Sequence, residues 1–321
     1  MKSMPLGGTG IEIGQFVFGA GSIGGVGGAP QTRGLGITEE QGFARLDEAY
    51  ELGIRVVDTA DVYAQGDSEV AVGRWLSQRE PSDVLVQTKF GGVARDGKPA
   101  SDLSGAHLRR QLAQSIERLG RVDLYLSHVP DPDTPPEETL TAFAEAREAG
   151  LIRAFGVCNV DAGLLEALLK TAADAGLPRP EFVQNGFSLL NRADEPELLP
   201  LVRSEGLGYL AFSPLAGGVL SERYLDGAAP QPGSRIAVAG DQFYPGAHTE
   251  ENLARVTRLR ELARRREVSV AGLALAWLSA HPAVTAPIVS PSSETQWQAV
   301  REALSFELDA ESAAEISELF G

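Results

Sequence analysis

The sequence has very little of the chemistry that binds metals or forms cross-links. A single cysteine, Cys158, excludes an internal disulfide and fits a reducing compartment. With four scattered histidines beside that one cysteine, there is no His/Cys cluster to hold zinc, so no metal is expected. A G-x-S-x-G elbow is also missing, which removes the usual signature of a serine hydrolase. There is no Lys/Arg block, and the formal net charge is −16, which argues against nucleic acid or an anionic membrane as a partner. No uninterrupted apolar run approaches bilayer length, and Met1-Lys2-Ser3-Met4-Pro5-Leu6 lacks the apolar core of a signal peptide. A cytoplasmic location is expected.

The 321 residues are 43% apolar and 22% charged, as in ordinary soluble globular proteins. After a short hairpin around Gly7-Gly8, the chain alternates β-branched runs with helix-period segments. Helices are expected from Thr38 to Gly53, through Val70 and Leu76, through Leu108 to Leu119, and over 137–149, 161–175 and 195–204. Between them, short strands end near Asp58, Lys89, His128, Asn159, Asn185 and Ser213. The spacings are 31, 39, 31, 26 and 28 residues, each one strand plus one helix. With an opening strand near 16–19 and a closing one at Thr285–Val289, eight units are counted. This pattern predicts an α/β fold, a (β/α)8 TIM barrel with an N-terminal β-hairpin, as one domain over 1–321. Residues 213–248 carry no clear periodicity and read as a long loop after strand 7, on the face where such barrels place their active sites. The letters Gly19-Ala20-Gly21-Ser22-Ile23-Gly24 match G-x-G-x-x-G. Gly25-Val26-Gly27-Gly28 follows in place of a helix, so a Gly-rich loop at the first strand end competes with the dinucleotide reading.

Four strand-end residues carry proton chemistry: Asp58, Tyr63, Lys89 and His128. Each alone has an ordinary explanation, as a turn former, a solvated strand end or a structural histidine. Together, on one face of successive units, they read as a proton-transfer centre. A phenol titrates near ~10, and a neighbouring ammonium is expected to lower that value and make Tyr63 a usable acid. Lys89 can supply the charge, Asp58 can hold Lys89, and His128 can donate to the same carbonyl oxygen. A site that protonates oxygen without nucleophile or metal needs an outside reductant, and a nicotinamide is the simplest.

The stretches Asp58-Thr59-Ala60-Asp61-Val62-Tyr63, Thr88-Lys89, Leu126-Ser127-His128-Val129-Pro130-Asp131, Gly156-Val157-Cys158-Asn159, Val183-Gln184-Asn185 and Ala211–Gly218 make the chain resemble an aldo-keto reductase from end to end. The resemblance implies NADPH (with NADH possible) and reduction of a small-molecule carbonyl or its reverse. It implies Asp58, Tyr63, Lys89 and His128 as a catalytic tetrad with Tyr63 the general acid. Asn159 and Gln184 match residues that hold the nicotinamide carboxamide, and Phe212 matches the aromatic that stacks on the ring. Ser213, Pro214, Leu215 and Gly217 match the pyrophosphate stretch, and Arg223 and Arg235 fall where relatives meet phosphates. Gly19, Ala20, Gly21 and Asp58 complete the expected cofactor wall, with Ser290, Ser292 and Gln296 on the adenine side. Two departures stand out. Cys158 replaces a serine, and Ala299-Val300 replaces a Glu-Asn pair. NADPH is expected over NADH because two arginines can supply charge-assisted hydrogen bonds to a 2′-phosphate. Sugar-lactol oxidation, nucleotide-sugar reduction or a slow redox-sensing regulatory subunit, as in the channel β subunits, would use the same strand ends. A homo-oligomer is compatible with the sequence.

Overall fold

The β-branched runs become short parallel strands, and chain order is preserved around the barrel they close. The computed structural model describes residues 2–95 and 97–321. A hairpin of β1 (Ser3–Pro5) and β2 (Glu12–Gly14) precedes β3 (Val17–Gly19). Then follow α1 (Glu39–Glu51), β4 (Val56–Asp58), α2 (Asp67–Arg79) and β5 (Leu85–Phe90). A second hairpin, β6 (Gly92–Arg95) and β7 (Lys98–Ser101), leads to α3 (Gly105–Leu119), β8 (Leu124–Ser127) and α4 (Pro136–Glu148). The chain continues through β9 (Ala154–Cys158), α5 (Ala162–Ala175), β10 (Phe182–Gly186), α6 (Leu198–Ser204) and β11 (Gly208–Phe212). It ends with α7 (Arg235–Phe243), α8 (Glu250–Arg265), α9 (Val270–Ala280), β12 (Ala286–Val289), α10 (Glu294–Ser305) and α11 (Ala310–Glu318). Strands β3, β4, β5, β8, β9, β10, β11 and β12 neighbour one another in that order and close on β3. This is the expected (β/α)8 barrel with its N-terminal hairpin.

The helices start where the sequence supplies caps. Thr38 and Gln41 form a reciprocal capping box on α1, and Ser104 and Asp161 cap α3 and α5 through their side chains. Strand alternation sorts the rest. Outward residues such as Val86, Phe90, Tyr125 and Phe155 join the layer between sheet and helices. Inward residues Val17, Val56, Leu124, Leu126, Phe182, Leu210 and Ile288 form a separate apolar interior. Leu6, Ile11 and Ile13 of the hairpin belong to that interior and plug the N-terminal end of the barrel. Gly7 makes the plug fit. At φ +53° a Cβ there would stand 2.4 Å from the Glu181 carbonyl oxygen, so only glycine lets the hairpin seat against β10 and β11. With one end sealed by hydrocarbon, polar side chains are left to the other.

Two elements differ from the sequence reading. The segment 213–248 is not structureless, because Ser234 caps α7, which is kinked at Ala239 (φ −152°). The β6–β7 hairpin was not expected either, although Asp96-Gly97 in the sequence is a hairpin-turn pair. Among the described residues, no helix is long and apolar enough to cross a membrane.

Candidate active site

Asp58 and Lys89 lie on adjacent strands, on the same inward face, at the open end of the barrel. Asp58 pairs in register with Gln87, so Lys89 stands one pleat further along β5. The ammonium lies 2.7 and 2.8 Å from the two carboxylate oxygens of Asp58 and donates to the Thr59 carbonyl at 2.8 Å. The pair is almost wholly buried, at 4% and 1% exposure, so each charge depends on the other. Burial works against the ammonium, but Asp58 first, with Tyr63 and Cys158 adding to it, holds Lys89 above its ordinary value. The Tyr63 hydroxyl is 3.4 Å from Lys89 Nζ, and the ammonium also lies 5.0 Å from the centre of the phenol ring.

Tyr63 departs from expectation in one respect. Burial raises its pKa more than Lys89 lowers it, and Asp58 adds to the rise. The phenol therefore stays protonated through neutral pH in the cofactor-free protein. His128 packs edge-on against the Tyr63 ring, with centroids 5.6 Å apart. Burial and the Lys89 charge push it down to about 3, so its imidazole is neutral. Its Nδ1 is buried without a partner among the described residues, and a neutral ring carries one N–H that can donate to a substrate oxygen.

The loop after β3 forms the wall beside Tyr63. Gly19 accepts from the Ser290 hydroxyl at 2.6 Å, and Ala20 donates its N–H to the Asp58 carbonyl at 2.8 Å. Ala20 itself is fully buried. A Cβ on Gly21 would come within 3.2 Å of the Tyr63 ring, so glycine lets this loop lie flat on the phenol. On the opposite side, Asn159 takes φ +59° and donates to the His128 carbonyl at 2.8 Å and to Cys158 Sγ at 3.2 Å. It is exposed at the rim. Cys158 is buried, and burial pushes its thiol up to about 12. Gln184 lies lower than its proposed carboxamide role suggests, at 1% exposure. Its Nε2 donates to Asp58 Oδ1 at 3.1 Å, and its Oε1 faces Cys158 Sγ at 3.7 Å.

The remaining candidates follow β11 and β12. The Phe212 ring covers Gly186, where a Cβ would stand 3.1 Å from it. Ser213 has φ +55° and donates to the Tyr244 hydroxyl at 3.4 Å. Pro214 is buried, and Leu215 is half-buried between the two outer core layers. Gly217 lies under Tyr244, where a Cβ would stand 2.8 Å from the ring. Arg223 is exposed and Arg235 half-buried, and neither has a carboxylate within salt-bridge distance among the described residues. Gln296 accepts from the Ser292 N–H and hydroxyl at 2.7 and 3.1 Å, shaping the start of α10. Ala299 and Val300 are core residues at 3% and 1% exposure, which gives their apolar identity a packing reason. Two polar residues near the site were given no role in the sequence reading: Gln87, whose amide donates to Asp58 Oδ1 at 2.6 Å, and Asp61, whose Oδ1 is buried without a partner among the described residues. A glutamine in the middle of an apolar strand was the available signal for the first.

The closed parallel barrel thus carries a buried carboxylate–ammonium pair against a phenol at its C-terminal rim. The chain belongs to the Aldo/keto reductase family, whose sequence profile matches residues 16–320. It is 30% identical to the uncharacterized oxidoreductase YrpG of Bacillus subtilis, covering 100% of this chain and 96% of that one. Similarity extends to the NADH-specific methylglyoxal reductase of Escherichia coli at 32% identity, covering 87% and 86% of the two chains. The L-glyceraldehyde 3-phosphate reductase of Escherichia coli is 33% identical, covering 79% and 75%.

Proposed function

We propose that this protein reduces small aldehydes or ketones with a nicotinamide nucleotide, preferring NADPH, and that Tyr63 is the proton donor. The observation that carries the reading is the Tyr63 hydroxyl 3.4 Å from an ammonium that Asp58 holds in a dry barrel. The bound nicotinamide supplies the hydride. The protein's own groups then govern the oxygen. As the carbonyl carbon gains the hydride, negative charge collects on its oxygen, and Tyr63 gives that oxygen its proton. The phenolate left behind is stabilised by Lys89, whose charge Asp58 fixes in place. The neutral His128 donates a second hydrogen bond to the same oxygen and holds the carbonyl toward Tyr63. Solvent then returns the proton to Tyr63.

The residues present fit a nicotinamide nucleotide. Exposed Asn159 can meet a carboxamide at the rim, and the Phe212 ring at the end of β11 gives it a face to lie on. Two arginines with no carboxylate beside them among the described residues suit phosphates, and guanidinium–phosphate pairs are bidentate and charge-assisted. That pair favours NADPH even though one relative is named NADH-specific. Two relatives named for small aldehyde substrates make short aldehydes the first compounds to try. The test is oxidation of NADPH and of NADH across a panel of aldehydes, ketones and sugars. Turnover with at least one aldehyde, faster with NADPH, is expected. Tight nucleotide binding with no turnover anywhere in the panel would contradict a reductase and favour a sensing subunit.

A further inference from the structure

Asp58 receives more hydrogen-bond donors than holding Lys89 requires. Its Oδ1 accepts from Lys89 at 2.7 Å, from Gln87 at 2.6 Å and from Gln184 at 3.1 Å, and its Oδ2 accepts from Lys89 at 2.8 Å. Gln87 stands directly opposite Asp58 in the β4–β5 register and is fully buried. The neighbouring inward positions Val56, Leu124 and Leu126 are apolar, and Leu85 packs against them. The Gln87 Oε1 has no partner among the described residues. A buried carbonyl without a donor costs stability that an apolar side chain of the same length would not. The short bond to the buried Asp58 carboxylate is therefore what the amide supplies here.

We propose that Gln87 is a positioning residue for the proposed reduction, which shares the charge of Asp58 and so limits how strongly Lys89 is drawn away from Tyr63. The inference rests on the tetrad reading above. An ammonium has three protons, and Lys89 has four oxygen neighbours: both oxygens of Asp58, the Thr59 carbonyl at 2.8 Å and Tyr63 at 3.4 Å. The contact to Tyr63 is the longest, so the pull of Asp58 decides how much of the ammonium is left for the phenol. A second donor on Oδ1 weakens that pull. The titratable groups around the pair are Asp58 on β4, Cys158 on β9, His128 after β8 and Asp61 in the Tyr63 loop. Of these, Gln87 donates to Asp58. Without the amide, the Asp58 charge is less offset, and Asp58 is a group that favours the protonated phenol.

The experiment compares Gln87→Met, which keeps the length and removes the amide, and Gln87→Leu with wild type. It reads kcat against pH, nucleotide Kd and melting temperature. The expected result is about a tenfold fall in kcat, in line with loss of a hydrogen bond to a charged group. The alkaline limb should move upward by roughly one pH unit. Nucleotide Kd should stay within about twofold, while the melting temperature reflects two opposing changes, loss of the bond to Asp58 and loss of an unpaired carbonyl. A displaced limb in both variants supports the proposal whatever the melting temperature. A pH profile matching wild type, with or without a lower melting temperature, overturns it and makes Gln87 a filler. Tyr63→Phe run in parallel separates the two layers. If that variant stays active the tetrad reading fails, whereas an inactive Tyr63→Phe beside an unaltered Gln87→Met removes only the Gln87 inference.

Discussion

Tyr63 is governed by opposing influences of comparable reach. Burial favours the neutral phenol, Lys89 favours the phenolate, and Asp58 sides with burial. The balance keeps the proton on the phenol oxygen, which is the condition the proposed general acid needs. Asp61, three residues further on from Asp58, shows the same physics in a carboxyl group. Burial, with the Glu69 charge adding to it, pushes its pKa up to about 7. Glu69 is committed to the structure, accepting from Thr88 at 2.5 Å and from Arg118 at 2.7 Å. Because the folded value of Asp61 lies above its unfolded value near ~3.9, folding takes up a proton between the two. The resulting penalty on the fold grows as pH rises through that window and is fully present above about 7. Asp61→Asn should therefore raise the melting temperature more at pH 8 than at pH 4. Equal shifts at both pH values, measured by thermal unfolding, would show that Asp61 is not held neutral.

The elements divide by how much of their reason for existing is local. Helix α1 was legible because Thr38 announces it, and α3 because Leu108, Leu112 and Leu119 repeat at helical spacing. The barrel strands were legible because burial on both faces makes them short apolar runs. Helix α7 was not, since Gly233 precedes its cap, Gly240 lies within it and Ala239 leaves helical geometry. It is held instead by tertiary contacts: Gln242 accepts from Gln31 at 3.2 Å, and a Cβ on Gly27 would meet Phe243 at 3.6 Å. These contacts join α7 to the Gly-rich loop after β3. Arg235 opens this helix, and on the present reading it meets a nucleotide phosphate. Arg235→Ala should weaken NADPH binding by roughly tenfold or more while changing NADH little, the size of a lost charge-assisted hydrogen bond. Raising salt should narrow the gap between the nucleotides. Titration of both, in both proteins, decides it: an equal loss for NADPH and NADH would remove Arg235 from 2′-phosphate recognition.

At the scale of the molecule, contacts across the barrel are what sequence reading cannot supply. Asp58, Lys89 and Tyr63 were readable as neighbours because their strands are consecutive and polar residues end each one. That Gln184 of β10 reaches across to Asp58 of β4 depends on the barrel's girth and stagger, which no local pattern encodes. Gln87 was hidden for the same reason, since its partner is fixed by β4–β5 register. The whole chain carries −16, so on the proposed reading an anionic cofactor would be attracted by the local charge of Arg223 and Arg235 against the net field. The central claim is that Tyr63 delivers the proton while contributing little to nucleotide binding. Single-turnover reduction of an aldehyde by preformed enzyme–NADPH, wild type against Tyr63→Phe, tests it most directly. The account predicts a fall of roughly 100-fold or more in the rate, with NADPH affinity within about twofold. A variant that keeps more than about a tenth of the wild-type rate would contradict it.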